Sequence, residues 1–310
     1  MKIVETLQTR ARVLSEIRTF FAGRGVLEAD TPALSQAGTT DPAIHSLETQ
    51  LNSQRCFLHT SPEFPMKRLL AAGSGDIYQL CKVFRAGESG RYHNPEFTLL
   101  EWYRLGMNHL ALAEEVIALI RNLDGDKHKL TGKIISYKEL FMSNIGINPL
   151  LADRKQLQEV VNNKIPAAPN GLDFDGYLDL LLSHLIVPAF PENQLTVFTD
   201  FPASQAALAR LNPDQKTAAR FEIYWGQLEL ANGFHELQDA AEQRKRFVAE
   251  NIQRQQLGLP EIPIDENLLA ALESGLPDCA GVALGVDRLL MCLGTKKHIN
   301  EVLTFPFDSA

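Results

Sequence analysis

Twenty residues from Phe84 to Tyr103, FRAGESGRYHNPEFTLLEWY, constrain this chain more than any other stretch. Ile77 to Arg85 (IYQLCKVFR) is apolar and β-favouring enough for a strand, and Glu96 to Tyr103 (EFTLLEWY) reads as its antiparallel partner. Gly87, Gly90 and Asn94-Pro95 supply the loop between them. Such pairing brings Arg85 and Phe97 to the loop end, where a guanidinium can fork onto phosphate oxygens and an aromatic face can cover a purine. The same pattern also describes an ordinary solvated hairpin, so the rest of the chain has to decide.

At 310 residues and 45% hydrophobic content, the chain can bury a sizeable core in one large domain or two small ones. No run approaches the roughly 20 apolar residues of a membrane span. The opening MKIVETLQTRARVL lacks the apolar centre of a secretory signal, which points to the cytoplasm. Cys56, Cys81, Cys279 and Cys292 form no CxxC pair, so four reduced thiols are expected rather than a disulfide framework or a zinc site. A net charge of −8 disfavours binding along a nucleic-acid backbone and leaves open a local basic patch or a basic protein partner.

Residues 6–24 place Leu7, Ala11, Leu14, Ile17, Phe20 and Phe21 at helical spacing, with Gly23 or Gly25 as the stop. The following VLEADTPAL is a short strand ended by Pro32; this unit suits the core, with a dimer element as the alternative. In CFLHTSPEFPMKRLL a strand runs into a helix for which Thr60 or Ser61 is the N-cap, Pro62 the first turn and Glu63 an N-terminal charge. Capping explains these residues; an edge of a cleft that binds an amine explains them equally. After the hairpin, 108–123 is an amphipathic helix, DGDKHKLTGK a turn, and 134–192 mainly helical, with prolines as breaks.

LTVFTDFP (195–202) is a strand, and RFEIYWGQLELANGF (220–234) is a hairpin turning at Gly226. Glu229 and Glu236 stand seven residues apart, which strict alternation puts on opposite faces; a break at Asn232-Gly233 is needed to aim both at one site. Two convergent carboxylates suit Mg²⁺, although Glu-rich strands more often face solvent. Residues 238–259 form a polar surface helix. CAGVALGVDRLLMCLG (279–294) then joins a strand through Gly285 to a helix whose first turn carries Arg288 beside free amides that favour anions. It is no Walker loop, and GxGxxG, HExxH and GxSxG are absent from the sequence.

In order along the chain, the helix and strand ending at Pro32, the FR-to-HNPEF hairpin and GVALGVDRLLM resemble the three signature motifs of class II aminoacyl-tRNA synthetases. TSPEFPMKRLL, RYHNPEFTLLEWY and ELANGFHELQDAAEQRKRF are similar to the catalytic domain of lysyl-tRNA synthetase. The chain begins at the first-motif helix, without room for the OB-fold that reads an anticodon, and so looks like the elongation factor P lysine ligase family, which attaches (R)-β-lysine to a protein lysine. The resemblance implies an α+β fold, an antiparallel β-sheet flanked by helices, as one catalytic domain over 1–310 with a mainly helical insertion at about 108–192, forming a homodimer through the first motif. ATP and Mg²⁺ are the implied cofactors, elongation factor P the partner, and tRNA is disfavoured.

Carried over, the family pattern makes Arg85 and Arg288 the catalytic cations, at the α- and γ-phosphates. Ala86, Gly87, Asn94, Phe97, Glu229, Leu230 and Gly285 complete the ATP site, and Glu229 and Glu236 the metal side. Ser61, Pro62, Glu63, Tyr103, Ala231 and Glu236 fall on the amino-acid side. FRAGE replaces the usual FRxE, putting Gly87 where a glutamate is expected and Glu88 one residue later, while Ala231 stands where lysyl-tRNA synthetases often carry glycine. Two alternatives accompany this reading: an α-lysine ligase with a tRNA-like acceptor, and a non-catalytic regulatory paralogue.

Overall fold

The computed structural model describes residues 2–169 and 171–310. Its elements are α1 (Lys2–Ala22), β1 (Leu27–Glu28), β2 (Leu34–Ser35), β3 (Leu47–Leu51), β4 (Gln54–Leu58), α2 (Glu63–Ala71), β5 (Ile77–Phe84), β6 (Glu96–Leu105) and α3 (His109–Asp124). Then follow β7 (Thr131–Ser136), α4 (Tyr137–Ile145), α5 (Arg154–Lys164), α6 (Phe174–Leu181), β8 (Gln194–Pro202), β9 (Thr217–Trp225), β10 (Leu228–His235), α7 (Ala240–Gln256), α8 (Glu266–Gly275), β11 (Cys279–Gly285) and α9 (Val286–Leu293). Eight strands form one sheet in the order β1-β5-β6-β11-β10-β9-β8-β7, antiparallel inside and parallel only in the edge pairs β1–β5 and β7–β8. A second sheet, β2-β4-β3, sits apart.

Strand alternation assigns the two faces of the large sheet. On β6, Leu100 and Trp102 are fully buried against Ile17 and Phe21 of α1 and the apolar stripe of α3. Each such side chain contributes roughly 1.5–3 kcal/mol of burial. The opposite face carries Phe97, Leu99, Glu101 and Tyr103, and register continues that face across the sheet: Gln79 pairs Glu101, Glu101 pairs Ala283, Ala283 pairs Asn232 and Asn232 pairs Glu222. Polar groups on four of these five neighbouring strands therefore lie in one row, with Ala283 of β11 between them. β11 runs through this row as Gly281, Ala283 and Gly285, and its small side chains leave a floor between the larger residues of β6 and β10.

Several elements differ from the sequence reading. Thr131–Ser136, read as a turn entering a helical region, is an edge strand, because β8 offers it a parallel partner. α3 packs on the main sheet, whereas Tyr137 to Phe201 build a separate cluster from α4, α5, α6 and the end of β8. α7 is polar but not merely superficial: Gln243, Phe247, Asn251 and Arg254 are buried. Arg254 Nε donates to the Pro260 carbonyl at 2.9 Å and Nη1 to that of Asp41 at 3.2 Å. At α2 the N-cap is Pro62, and Ser61 lies one residue earlier, where its Oγ accepts from Glu63 N at 3.0 Å.

Candidate active site

One cleft of about 650 Å³ opens on the polar face, bounded by the hairpin, α9, the start of α2 and the loop 37–46. Of the residues singled out from sequence, Ser61, Glu63, Arg85, Asn94, Phe97, Glu229, Leu230, Ala231, Gly285 and Arg288 line it. Pro62, Ala86, Gly87, Tyr103 and Glu236 are not among its lining. Ala86 instead spends its amide on the His45 carbonyl at 2.7 Å, which ties the hairpin loop to the 37–46 loop.

At the first end, Arg85 lies over Phe97, its guanidinium carbon 5.1 Å from the ring centroid, which braces the charge without neutralising it. Gly87 turns with φ +79° and open space where a Cβ would be, so Glu88 swings back to within 3.5 Å of Arg85. The extra residue of FRAGE is absorbed by that turn. Asn94 is held at both ends, donating to the Glu96 carbonyl at 2.6 Å and accepting from Phe307 N at 3.2 Å. Arg288 donates to His93 Nε2 at 2.7 Å and to the Glu229 carbonyl at 3.0 Å, and its Nη1 lies 3.4 Å from Glu229 Oε2. Burial and the neighbouring Arg288 both hold the His93 imidazole below its ordinary range, consistent with a neutral acceptor.

The second end is built from carboxylates. Ser61 Oγ and Tyr103 OH donate to the two oxygens of Glu101 at 2.6 and 2.7 Å. Burial, with the charge of Glu63 adding, pushes Glu101 up to about 8. Lys67 Nζ sits 2.6 Å from both Glu63 Oε1 and Glu236 Oε2. Burial raises Glu236 to about 7 against the pull of Lys67. For Lys67 burial acts downward, yet the two carboxylates outweigh it and hold the ammonium charged, well above its usual range. Beyond them Arg220 Nε donates to Asn232 Oδ1 at 3.2 Å and Nη2 to Glu222 Oε1 at 2.6 Å, which turns the Asn232 amide nitrogen away from the arginine.

The expected pairing of Glu229 with Glu236 on one metal ion is not built. The register break lies between Glu229 and Ala231 rather than at Asn232-Gly233. The bulge puts both carboxylates on the cleft face of the strand, but at about 3.3 Å per residue they stand on the order of 20 Å apart along it. Glu236 belongs with Lys67, and Glu229 with Arg288. Glu101 and Lys67 were not singled out from the sequence; period-two alternation from Phe97 and the Glu63 to Lys67 spacing of one helical turn were the available signals.

Residues 1–309 match the family model of the tRNA synthetases class II (D, K and N). The chain belongs to that class II synthetase family. Curated relatives include proteins named elongation factor P--(R)-beta-lysine ligase from Vibrio cholerae serotype O1, 48% identical over 99% of this chain and 97% of that protein. Others are from Edwardsiella ictaluri, 47% identical over 99% and 96%, and Haemophilus influenzae, 45% identical over 99% and 96%. In class II terms, the hairpin, the first helix and the β11–α9 junction meet at Asp287, which accepts from Thr98 N at 2.7 Å and from Arg10 at 2.5 Å.

Proposed function

We propose that the protein is an elongation factor P (R)-β-lysine ligase, activating the amino acid with ATP as an adenylate and transferring it to a lysine ε-amine of the factor. One observation carries this beyond the relatives' names: a single cleft joins an arginine and aromatic nucleotide end to Glu63, directly behind which Glu101 and Glu236 are buried in the same cluster of carboxylates. Carboxylates answer the amines of a lysine-like substrate, and Phe234 in the cleft lining supplies an apolar wall for its methylenes.

In the first step a carboxylate oxygen of the amino acid attacks the α-phosphorus of ATP, and the bond to the bridging oxygen breaks as pyrophosphate leaves. Arg85 and Arg288 bind the phosphates and neutralise the charge that develops; alignment supplies the remainder. Phe97 holds the base, and Gly285 lets it approach β11. In the second step the unprotonated acceptor amine attacks the acyl carbon, AMP leaves with the C–O electron pair, and the amide nitrogen loses a proton. Among the described residues no three His, Cys, Asp or Glu side chains form a preformed metal cage. Glu229, in the cleft beside Arg288, fits the pattern of Mg²⁺ held by a carboxylate and substrate phosphates. When bound, that ion supplies further charge neutralisation at the phosphates.

The reading extends to a cytoplasmic homodimer. No helix among the described residues is long and apolar enough to cross a membrane, and α1 exposes Ile3, Val4 and Leu7 in its first half, a face suited to a second copy. A protein acceptor is proposed in place of tRNA. The decisive assay is amino-acid-dependent exchange of labelled pyrophosphate into ATP, with (R)-β-lysine against α-lysine and no acceptor present. Preferred exchange with β-lysine, followed by labelling of elongation factor P, is expected. Preference for α-lysine supports the tRNA-like alternative, and no exchange with either overturns the ligase reading.

A further inference from the structure

Lys67 is the one element of the amine end that the activation chemistry does not call for. It is 2% exposed, on α2 one turn beyond Glu63, and its ammonium bridges Glu63 and Glu236 at 2.6 Å on each side. A methionine would fill such a position without desolvating a charge, and a buried ion pair is generally no more stabilising than a well-packed apolar substitute. The other charges that reach this cluster are engaged elsewhere: Arg210 donates to Asp278 at 2.6 Å, and burial pushes the Cys279 thiol up to about 12, which keeps it neutral. Three carboxylates, Glu63, Glu101 and Glu236, therefore face one cation. Burial favours the protonated carboxyls of Glu101 and Glu236. With all three ionised, as bound ammonium groups would favour, two negative charges remain beside Lys67, which is the number of ammonium groups on a lysine-like diamino acid.

We propose that Lys67 is a positioning residue that matches this pocket to a diamino acid: it clamps one oxygen each of Glu63 and Glu236, leaves the other oxygen of the cleft-lining Glu63 for a substrate ammonium group, and sets the charge the substrate must balance. The proposal rests on the ligase reading above and deepens it. Geometry supports the clamp on the far side too, because the second oxygen of Glu236 is fixed over Gly281 in the floor of the sheet, where a Cβ would come within 2.4 Å of it. Substrate thus meets carboxylates already oriented, in place of ones that must be ordered on binding.

Pyrophosphate exchange on the full chain separates this from a purely structural lysine. Lys67→Met is expected to raise KM for (R)-β-lysine on the order of 100-fold while KM for ATP stays within about threefold. Lys67→Arg, which keeps the charge, should recover most of that loss. Adding Glu236→Gln to Lys67→Met removes the uncompensated carboxylate, so the double variant is expected to use the diamino acid better than Lys67→Met alone. A wild-type amino-acid KM in Lys67→Met, or a double variant no better than the single one, overturns the proposal. So does an unfolded Lys67→Met that Glu236→Gln does not restore to a cooperative melt. Absence of exchange by the wild-type chain with either lysine removes the ligase reading and this proposal with it, whereas normal wild-type exchange with unaffected variants removes the proposal alone.

Discussion

Arg10 and Asp287, 277 residues apart in the chain, meet at 2.5 Å beneath the nucleotide end of the cleft. Asp287 is 2% exposed, and its other oxygen accepts the Thr98 amide. One carboxylate thus fixes the first helix, the hairpin and the helix that carries Arg288. Asp287→Ala leaves the partly buried Arg10 without its counter-ion, which costs up to about 3–5 kcal/mol. Urea unfolding should register that loss, and adenylation should fall in the fraction that stays folded because Arg288 loses its anchor.

Arg85 faces the cleft, and among the described residues a 3.5 Å contact to Glu88 and the Phe97 ring hold its guanidinium. Its charge is available to a phosphate. Arg85→Ala should lower the pyrophosphate exchange rate by roughly 100- to 1,000-fold or more, the scale seen when one preorganised donor is removed from a site of developing charge. Near-normal exchange would falsify its assignment.

Gly281 forms the floor beneath the amine end. A Cβ there would sit 2.3 Å from the Tyr103 ring and 2.4 Å from Glu236 Oε1. Gly281→Ala should destabilise the chain by about 1–3 kcal/mol through overpacking. It should also raise KM for the amino acid far more than for ATP, a split read directly from exchange kinetics.

Burial pushes Glu250 up to about 7, beside Thr40 at the edge of the cleft. A carboxyl whose folded value lies above its unfolded value binds more protons when folded, so its contribution to stability falls as pH rises from about 4.5 through 7. Glu250→Gln removes that penalty while keeping an acceptor for Thr40. Thermal melts should show the variant gaining on the parent at pH 8, by up to about 3 kcal/mol, and converging with it near pH 4.5. Equal gains at both pH values would sink the explanation.

Ala231 lines the cleft and stands one residue before Asn232, whose amide Arg220 orients. If its methyl shapes the choice of amine position, Ala231→Gly shifts the ratio of exchange with (R)-β-lysine to that with α-lysine towards α-lysine. An unchanged ratio with normal total activity places the determinant elsewhere in the pocket.

Local chemistry made part of the molecule legible from residues alone. The hairpin of β5 and β6 announces itself through β-favouring runs around Gly and Asn-Pro, and the β9–β10 turn through Gly226 between two such runs, which the structure places at a left-handed φ of +53°. Arg85, Phe97, Gly285 and Arg288 lie on or beside such punctuated elements, so their place at one end of a cleft could be anticipated. The edge strand Thr131–Ser136 could not, since a short strand of this kind is defined by the partner that β8 provides.

The amine end depended still more on tertiary structure. Nothing in the sequence spacing brings Lys67 of α2, Glu101 of β6 and Glu236 beyond β10 together; that requires β11 to run between the last two with glycine and alanine in its floor. A one-residue bulge after Glu229 decided which carboxylates share a face, and the length of the strand then decided that Glu229 and Glu236 do not share an ion. The sequence by itself determined the fold family, the strands and turns, and the cations of the nucleotide end, because periodicity and turn residues act locally. Only the tertiary structure decided which buried charges neutralise one another, because pairing and desolvation depend on neighbours drawn from remote parts of the chain.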